Sequence, residues 1–125
     1  MNITQLYLIM YQALKQANDD CDLDNIDDIE NLVFFINEAS PHIFKGQSGK
    51  RCISADPACY ISFKKYMAKH FKDGFIPKDK SYNAVLSHLR EYVGNVYPGV
   101  IKAFLKISKK DWAKIYESGL EKFKD

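Results

Sequence analysis

Three cysteines and three histidines are the residues of this chain best suited to act as nucleophiles, general bases or metal ligands; they are Cys21, Cys52, Cys59, His42, His70 and His88. No Cys-x-x-Cys pair occurs. Cys52, Cys59 and His70 form at most an incomplete zinc set, because structural zinc sites take four ligands. The spacing does not indicate an activated thiolate. We therefore predict no catalytic residue, no metal site and no cofactor.

The number of cysteines also bears on the compartment. Three is odd, and no stretch near the N-terminus reads as a secretion signal, so we expect reduced thiols and no structural disulfide. No apolar run approaches the ~20 residues that a membrane-spanning helix needs. We expect a cytoplasmic protein without a membrane partner.

The acidic segment of residues 19–30 suggests calcium, because carboxylates are ligands for that ion. An EF-hand loop has glycine at its sixth position and glutamate at its twelfth. A loop starting at Asp20 has Asn25 and Asn31 there instead. We interpret the segment as a solvated turn whose carboxylates favour the N-terminus of a helix.

Charge is divided unevenly along the chain. Residues 1–40 contain eight acids and one base, a net of −7, whereas residues 41–125 contain seventeen bases and eight acids, a net of +9. Either the two parts attract each other within one fold, or the basic part binds a polyanion. The candidate polyanion-binding residues are Lys45, Lys50, Arg51, Lys64, Lys65, Lys69 and Lys72.

Known nucleotide and DNA motifs fit the basic part poorly. The segment from Lys45 to Arg51 is not a Walker motif, because only two residues separate its glycines and arginine follows Lys50. A helix-turn-helix around Gly94 is unfavourable, since Pro98 follows soon after. Nucleic-acid binding through this segment and the third helix is an alternative hypothesis.

Apolar residues recur with a helical period in six segments, which must position any site. The predicted helices cover residues 2–17, 25–40, 57–72, 81–93, 100–107 and 109–123, with caps at Asn2, Asp24 or Asn25, Asp56, Ser81 and Ser108. Residues 32–36 are apolar throughout and also suit a buried strand, but the capping signals favour a helix. The glycines and serine of residues 41–55 predict an irregular loop.

These elements predict an all-α fold, a single compact bundle of five to six helices with short loops in one domain spanning residues 1–125. Four apolar residues lie off the inward faces of their helices: Leu8, Ile9, Tyr11 and Ile61. They are our candidate protein interface, and the first helix also allows a homo-oligomer. A central, buried first helix is the alternative explanation for the three residues on that helix.

The favoured function is a small non-enzymatic helical protein that binds another protein, in an accessory, adaptor or inhibitor-like role. Its partner is a protein of unknown identity. A nucleic-acid-binding protein is the first alternative. The second is an enzyme with an interhelical site that uses His70, His88 or a buried cysteine.

Overall fold

The computed structural model describes residues 1–20, 23–46 and 49–123, and six helices and one β-hairpin occur in this part of the chain. The described part of the chain is mainly helical and its one sheet has only two strands, which confirms the all-α prediction. The elements are α1 (Ile3–Asp19), α2 (Ile26–Ala39), β1 (Pro41–Gly46), β2 (Gly49–Ser54), α3 (Pro57–His70), α4 (Lys78–Val93), α5 (Pro98–Leu105) and α6 (Lys109–Lys122). None of the helices in the described part of the chain has the length and apolar character needed to cross a bilayer.

Helix α1 lies at the centre of the bundle and packs against α2, α3, α5 and α6. Its apolar residues therefore have neighbours on nearly every side. Tyr7 is fully buried, with its ring edge-to-face against Tyr60 and Phe63, and its hydroxyl donates a hydrogen bond to the Ala39 carbonyl at 2.6 Å. This bond satisfies a polar group that would otherwise be costly to bury.

Most helices begin where side-chain caps were predicted. Asn2 and Gln5 form a reciprocal capping box on α1, Asn25 accepts from the first turn of α2, and Ser108 accepts from the Asp111 amide. Each cap satisfies backbone amides that have no partner within the helix. The N-terminal boundaries of these helices therefore follow from local chemistry.

Helix α4 is an exception, because the predicted cap Ser81 is wrong. The helix begins at Lys78, after Pro77, without a side-chain cap. Ser81 is instead buried in the second turn, where its hydroxyl donates to the Lys78 carbonyl at 2.7 Å and accepts from the Trp112 indole at 2.9 Å. The serine thus joins α4 to α6.

The predicted irregular loop at residues 41–55 is also wrong, because β1 and β2 form an antiparallel hairpin. Its register runs from Pro41 opposite Ser54 to Gly46 opposite Gly49. The strands contain the β-favouring residues Ile43, Phe44 and Ile53. Gln47 and Ser48 lie outside the described residues.

Residues 32–36 are helical, as predicted, and α2 packs closely against α5. A Cβ atom on Gly99 would lie 2.3 Å from the Asp28 carbonyl oxygen, so only glycine allows this approach. The Gly99 amide donates to Asn31 at 3.1 Å, and Lys102 forms a 3.0 Å ion pair with the buried Asp28. This pair joins the acidic and basic parts of the chain.

Candidate functional site between the third and fourth helices

A groove of about 520 Å³ runs between α3 and α4. One wall comes from α3 and the other from α4; the lining residues are Ala58, Ile61, Ser62, Lys65, Tyr66, Lys69, His88, Glu91 and Tyr92. We call this feature the α3–α4 groove. It combines aromatic, aliphatic and charged side chains, the mixture typical of binding sites.

Helical spacing explains how α3 presents this wall. Asp56 caps the helix by accepting from the Ala58 amide at 3.0 Å, and Pro57 occupies its first position. Cys59, Phe63 and Met67 repeat every four residues and are buried. Ile61, Lys65 and Lys69 are offset from that stripe by two residues, which places them on the opposite side of the helix, and they bound the groove.

Three aromatic rings line the groove, those of Tyr66, His88 and Tyr92. His88 stacks on Tyr92 with ring centroids 5.6 Å apart, and it meets Tyr66 at 5.2 Å. Phe63 packs edge-to-face on the other side of the imidazole, also at 5.2 Å. At the outer end Tyr66 contacts the exposed His70, with centroids 4.4 Å apart.

His88 is the buried polar residue of this cluster. It is only 1% exposed, and its Nε2 finds no hydrogen-bond partner among the described residues. Burial lowers the pKa of the imidazole to about 4, so the ring is neutral at physiological pH. The neutral imidazole is therefore packed among the aromatic rings beneath the groove.

The rim of the groove is mainly basic. Lys65 and Lys69 line it and are exposed, and Lys64 and Lys72 lie exposed nearby. Glu91 contributes one acid from α4. Ile61 stands among these lysines with half of its side chain exposed (50%). The groove therefore presents aliphatic and aromatic surface beside positive charge.

The structure separates the four predicted interface residues. Leu8 is 5% exposed and Ile9 is fully buried. The side chain of Ile9 lies against Gly119 of α6. They are core residues, because the central position of α1 covers them. Tyr11 is half-buried, packed against the core. Only Ile61 lies on the α3–α4 groove.

The predicted polyanion-binding residues fall on two elements. Lys64, Lys65 and Lys69 lie on α3, and Lys72 follows it. Lys45, Lys50 and Arg51 lie in the hairpin, where Lys45 and Lys50 are partners in the backbone register. The glycine-rich loop imagined for these three residues is thus a paired strand structure.

A second depression lies between α1, α5 and α6, with a volume of about 290 Å³. Gln12, Gln16, Ser118, Asp111 and Lys114 line it. The Gln12 Oε1 atom is buried and has no partner among the described residues. Because its lining is mostly polar, this depression offers little apolar surface to a partner.

The incomplete zinc set named above does not come together. Cys59 and His70 lie at opposite ends of α3, roughly 16 Å apart by helical rise. Cys52 and Cys59 are free thiols, and Cys21 lies outside the described residues. Burial raises the pKa of Cys52 and of Cys59 to about 11, so neither is an activated thiolate.

A different group of metal-ligating side chains does come together beside the groove. Ligand atoms of Glu38, Asp56 and Cys59 all lie within 4.8 Å of one another. Tyr92, a groove residue, donates its hydroxyl to the Cys59 sulfur at 3.8 Å. These are the residues near the groove that could hold a metal ion.

Tyr66, Tyr92 and Glu38 were not among the predicted site residues, and Asp56 was predicted only as a helix cap. The available signal was the aromatic i, i+4 spacing of Tyr66 with His70 and of His88 with Tyr92, since such pairs share a helix face. That signal does not reveal which helix the face meets.

Comparison of the whole chain with protein-family models, with curated proteins and with solved structures finds no match.

Proposed function

We propose that this protein binds an acidic segment of another protein in the α3–α4 groove. The observation that carries the proposal is the joint presence, on one groove, of exposed apolar surface at Ile61 and of the exposed cations Lys65 and Lys69. A segment with apolar side chains and carboxylates would satisfy both. The protein then acts by occupying the surface of its partner.

The apolar contacts provide affinity in this proposal. Ile61 is half exposed, and Tyr66 and Tyr92 lie beside it in the groove. Aromatic residues are enriched among those that dominate binding energies, because a rigid ring buries much area at small entropic cost. The partner's apolar side chain would rest on these rings.

The lysines provide orientation and speed of association. Positive charge at the rim of an interface attracts a negative partner over a distance of about a Debye length, roughly 8 Å at physiological salt. Glu91, on the α4 wall, would repel the carboxylates of a uniformly acidic ligand. The acidic residues of the partner should therefore lie toward α3.

The test is a pull-down from native cells, with nuclease present, that compares the wild-type protein with groove variants. Ile61→Asp removes the apolar contact, and the double variant Lys65→Glu/Lys69→Glu reverses the charge of the rim. We expect each to weaken the affinity for one stoichiometric protein by about tenfold or more, about 1.4 kcal/mol or more, and so to reduce its recovery.

Matched variants control for general effects of charge and surface change. Val96→Asp alters an exposed apolar residue away from the groove, and Lys80→Glu/Lys110→Glu reverses two exposed lysines elsewhere. Both should retain the partner. Equal recovery by the groove variants and the control variants, in folded proteins, would contradict the proposal.

The same experiment separates the nucleic-acid alternative, which the row of exposed lysines on α3 favours. Binding to nucleic acid weakens steeply with salt, because each neutralised phosphate releases counterions. Partners that disappear on nuclease treatment, together with recovered nucleic acid, would assign the lysines to that role. The uncharged variant Ile61→Ala would then retain binding, because it removes apolar surface without changing the charge of the lysine row.

A further inference from the structure

Three side chains with metal-ligating atoms converge at the junction of α2, the hairpin and α3. Glu38 lies in the last turn of α2, Asp56 caps α3, and Cys59 lies in the first turn of α3. Their ligand atoms are within 4.8 Å of one another. Cys59 is 2% exposed, Glu38 is partly buried and Asp56 is exposed, so the group opens to solvent on one side.

Backbone contacts hold the three residues in place. The Asp56 amide donates to the Glu38 carbonyl at 2.8 Å, and the Cys59 amide donates to the Asp56 carbonyl at 3.0 Å. Because these bonds join the end of α2 to the start of α3, the side chains meet without any rearrangement of the helices. Convergence is therefore built into the fold.

An outer contact orients one of the carboxylates. The Tyr97 hydroxyl donates to Glu38 Oε1 at 3.0 Å. Metal-binding carboxylates are commonly hydrogen-bonded in this manner, and such partners fix the direction of the ligand atom. Asp56 accepts from the Ala58 amide through Oδ1, and a carboxylate has lone pairs on both oxygens, so capping does not prevent it from binding a cation.

We propose that Glu38, Asp56 and Cys59 form a binding site for a divalent transition-metal ion of the zinc type. Two carboxylates and a thiolate supply the O and S ligands that zinc accepts, whereas sulfur disfavours magnesium and calcium. Three protein ligands leave a further coordination position for water or another ligand. Binding requires the metal to displace the thiol proton of Cys59, as it does at other cysteine sites.

Cobalt(II) is the direct probe, because a thiolate bound to Co²⁺ produces a charge-transfer absorption in the near ultraviolet that carboxylates do not. The full chain, reduced with a phosphine, is titrated with Co²⁺ and then with Zn²⁺. We expect the band to saturate at one Co²⁺ per chain and to disappear as Zn²⁺ displaces the cobalt.

Variants assign the ligands. Cys59→Ser should abolish the band, while Cys52→Ser, which alters the other described thiol, should retain it. Glu38→Gln and Asp56→Asn should each weaken Co²⁺ binding by about tenfold or more, and Tyr97→Phe by about tenfold through loss of orientation. Far-ultraviolet circular dichroism verifies that each variant is folded.

Two results would overturn the site. One is a folded wild-type protein that shows no thiolate band in millimolar Co²⁺. The other is a band that survives in Cys59→Ser. Both are independent of partner binding, because Ile61, Lys65 and Lys69 are not ligands, so failure of the metal site leaves the proposed groove function untouched.

Discussion

At the scale of single residues, His88 affects both the α3–α4 groove and the stability of the fold. It contributes a nearly fully buried imidazole to the aromatic side of the α3–α4 groove, between Phe63, Tyr66 and Tyr92. A charged imidazole in that position would lose its hydration, and Nε2 has no partner among the described residues that could compensate. The residue therefore links the groove to the stability of the fold.

This link predicts a dependence of stability on pH. The pKa of His88 is lowered from 6.5 to about 4 by burial, so the unfolded chain binds a proton more readily than the folded one. The contribution of neutral His88 to the free energy of unfolding is complete above pH 6.5 and is lost as the pH falls from there toward about 4. Between about pH 7.5 and about pH 5, the free energy of unfolding should therefore fall by about 2 kcal/mol.

Denaturant unfolding of the wild type and of His88→Leu, at both pH values, measures this effect. Other titrating groups are common to the two proteins and cancel in the difference between them. Ser87→Ala, an exposed substitution on α4 that removes no titrating group, is the control and should follow the wild type. If the free energy of unfolding falls equally in the wild type and in His88→Leu between the two pH values, His88 does not cause the pH dependence.

At the scale of elements, helix–helix approach depends on small residues at a few contacts. Gly99 allows the start of α5 to lie against the backbone of α2 at Asp28, and Gly119 allows α6 to lie against Ile9 of α1. The first contact is the stricter one, because a backbone carbonyl cannot rotate away as a side chain can.

Gly99→Ala is therefore expected to force α2 and α5 apart. Its Cβ would lie 2.3 Å from the Asp28 oxygen, and overpacking of this kind costs about 1–3 kcal/mol. Urea denaturation should show a loss near the upper end of that range. Ser118→Ala, at an exposed helical position, should change the free energy of unfolding by less than about 0.5 kcal/mol. Similar values for the two variants would mean that α5 moves freely.

The hairpin is the element that organises the metal-ligating residues. It leaves α2 at Pro41 and returns at Ser54, and the Ala55 amide then donates to the Ser40 carbonyl at 2.9 Å. This return brings Asp56 to Glu38. An irregular loop of the same length would not fix Asp56 next to Glu38.

At the scale of the whole molecule, the acidic and basic parts of the chain meet within one core. The acidic part forms α1 and α2, and the basic part forms the remaining elements. Asp28 and Lys102 pair across the two parts, but the lysines of α3 remain exposed. Their positive charge therefore faces solvent beside Ile61.

Local signals in the sequence predicted the helices but not the site. Caps such as Asn2, Asn25 and Ser108 act within one turn, so their effect is visible in a short segment. The hairpin was missed because its glycines suggested a loop, while strand pairing depends on residues further apart. The groove required knowing that α3 lies beside α4, and the burial of Leu8 and Ile9 required knowing that α1 is central.

The most direct test of the groove function is site-specific photo-crosslinking in native cells. A photoreactive benzoyl-phenylalanine replaces Ile61 in one variant and Val96 in another, since both residues are exposed, at 50% and 65% respectively. We predict that one acidic protein crosslinks at high yield from position 61, and that adding Lys65→Glu/Lys69→Glu suppresses this crosslink. The absence of a crosslink at 61, or the same products from both positions, would contradict partner binding in the α3–α4 groove.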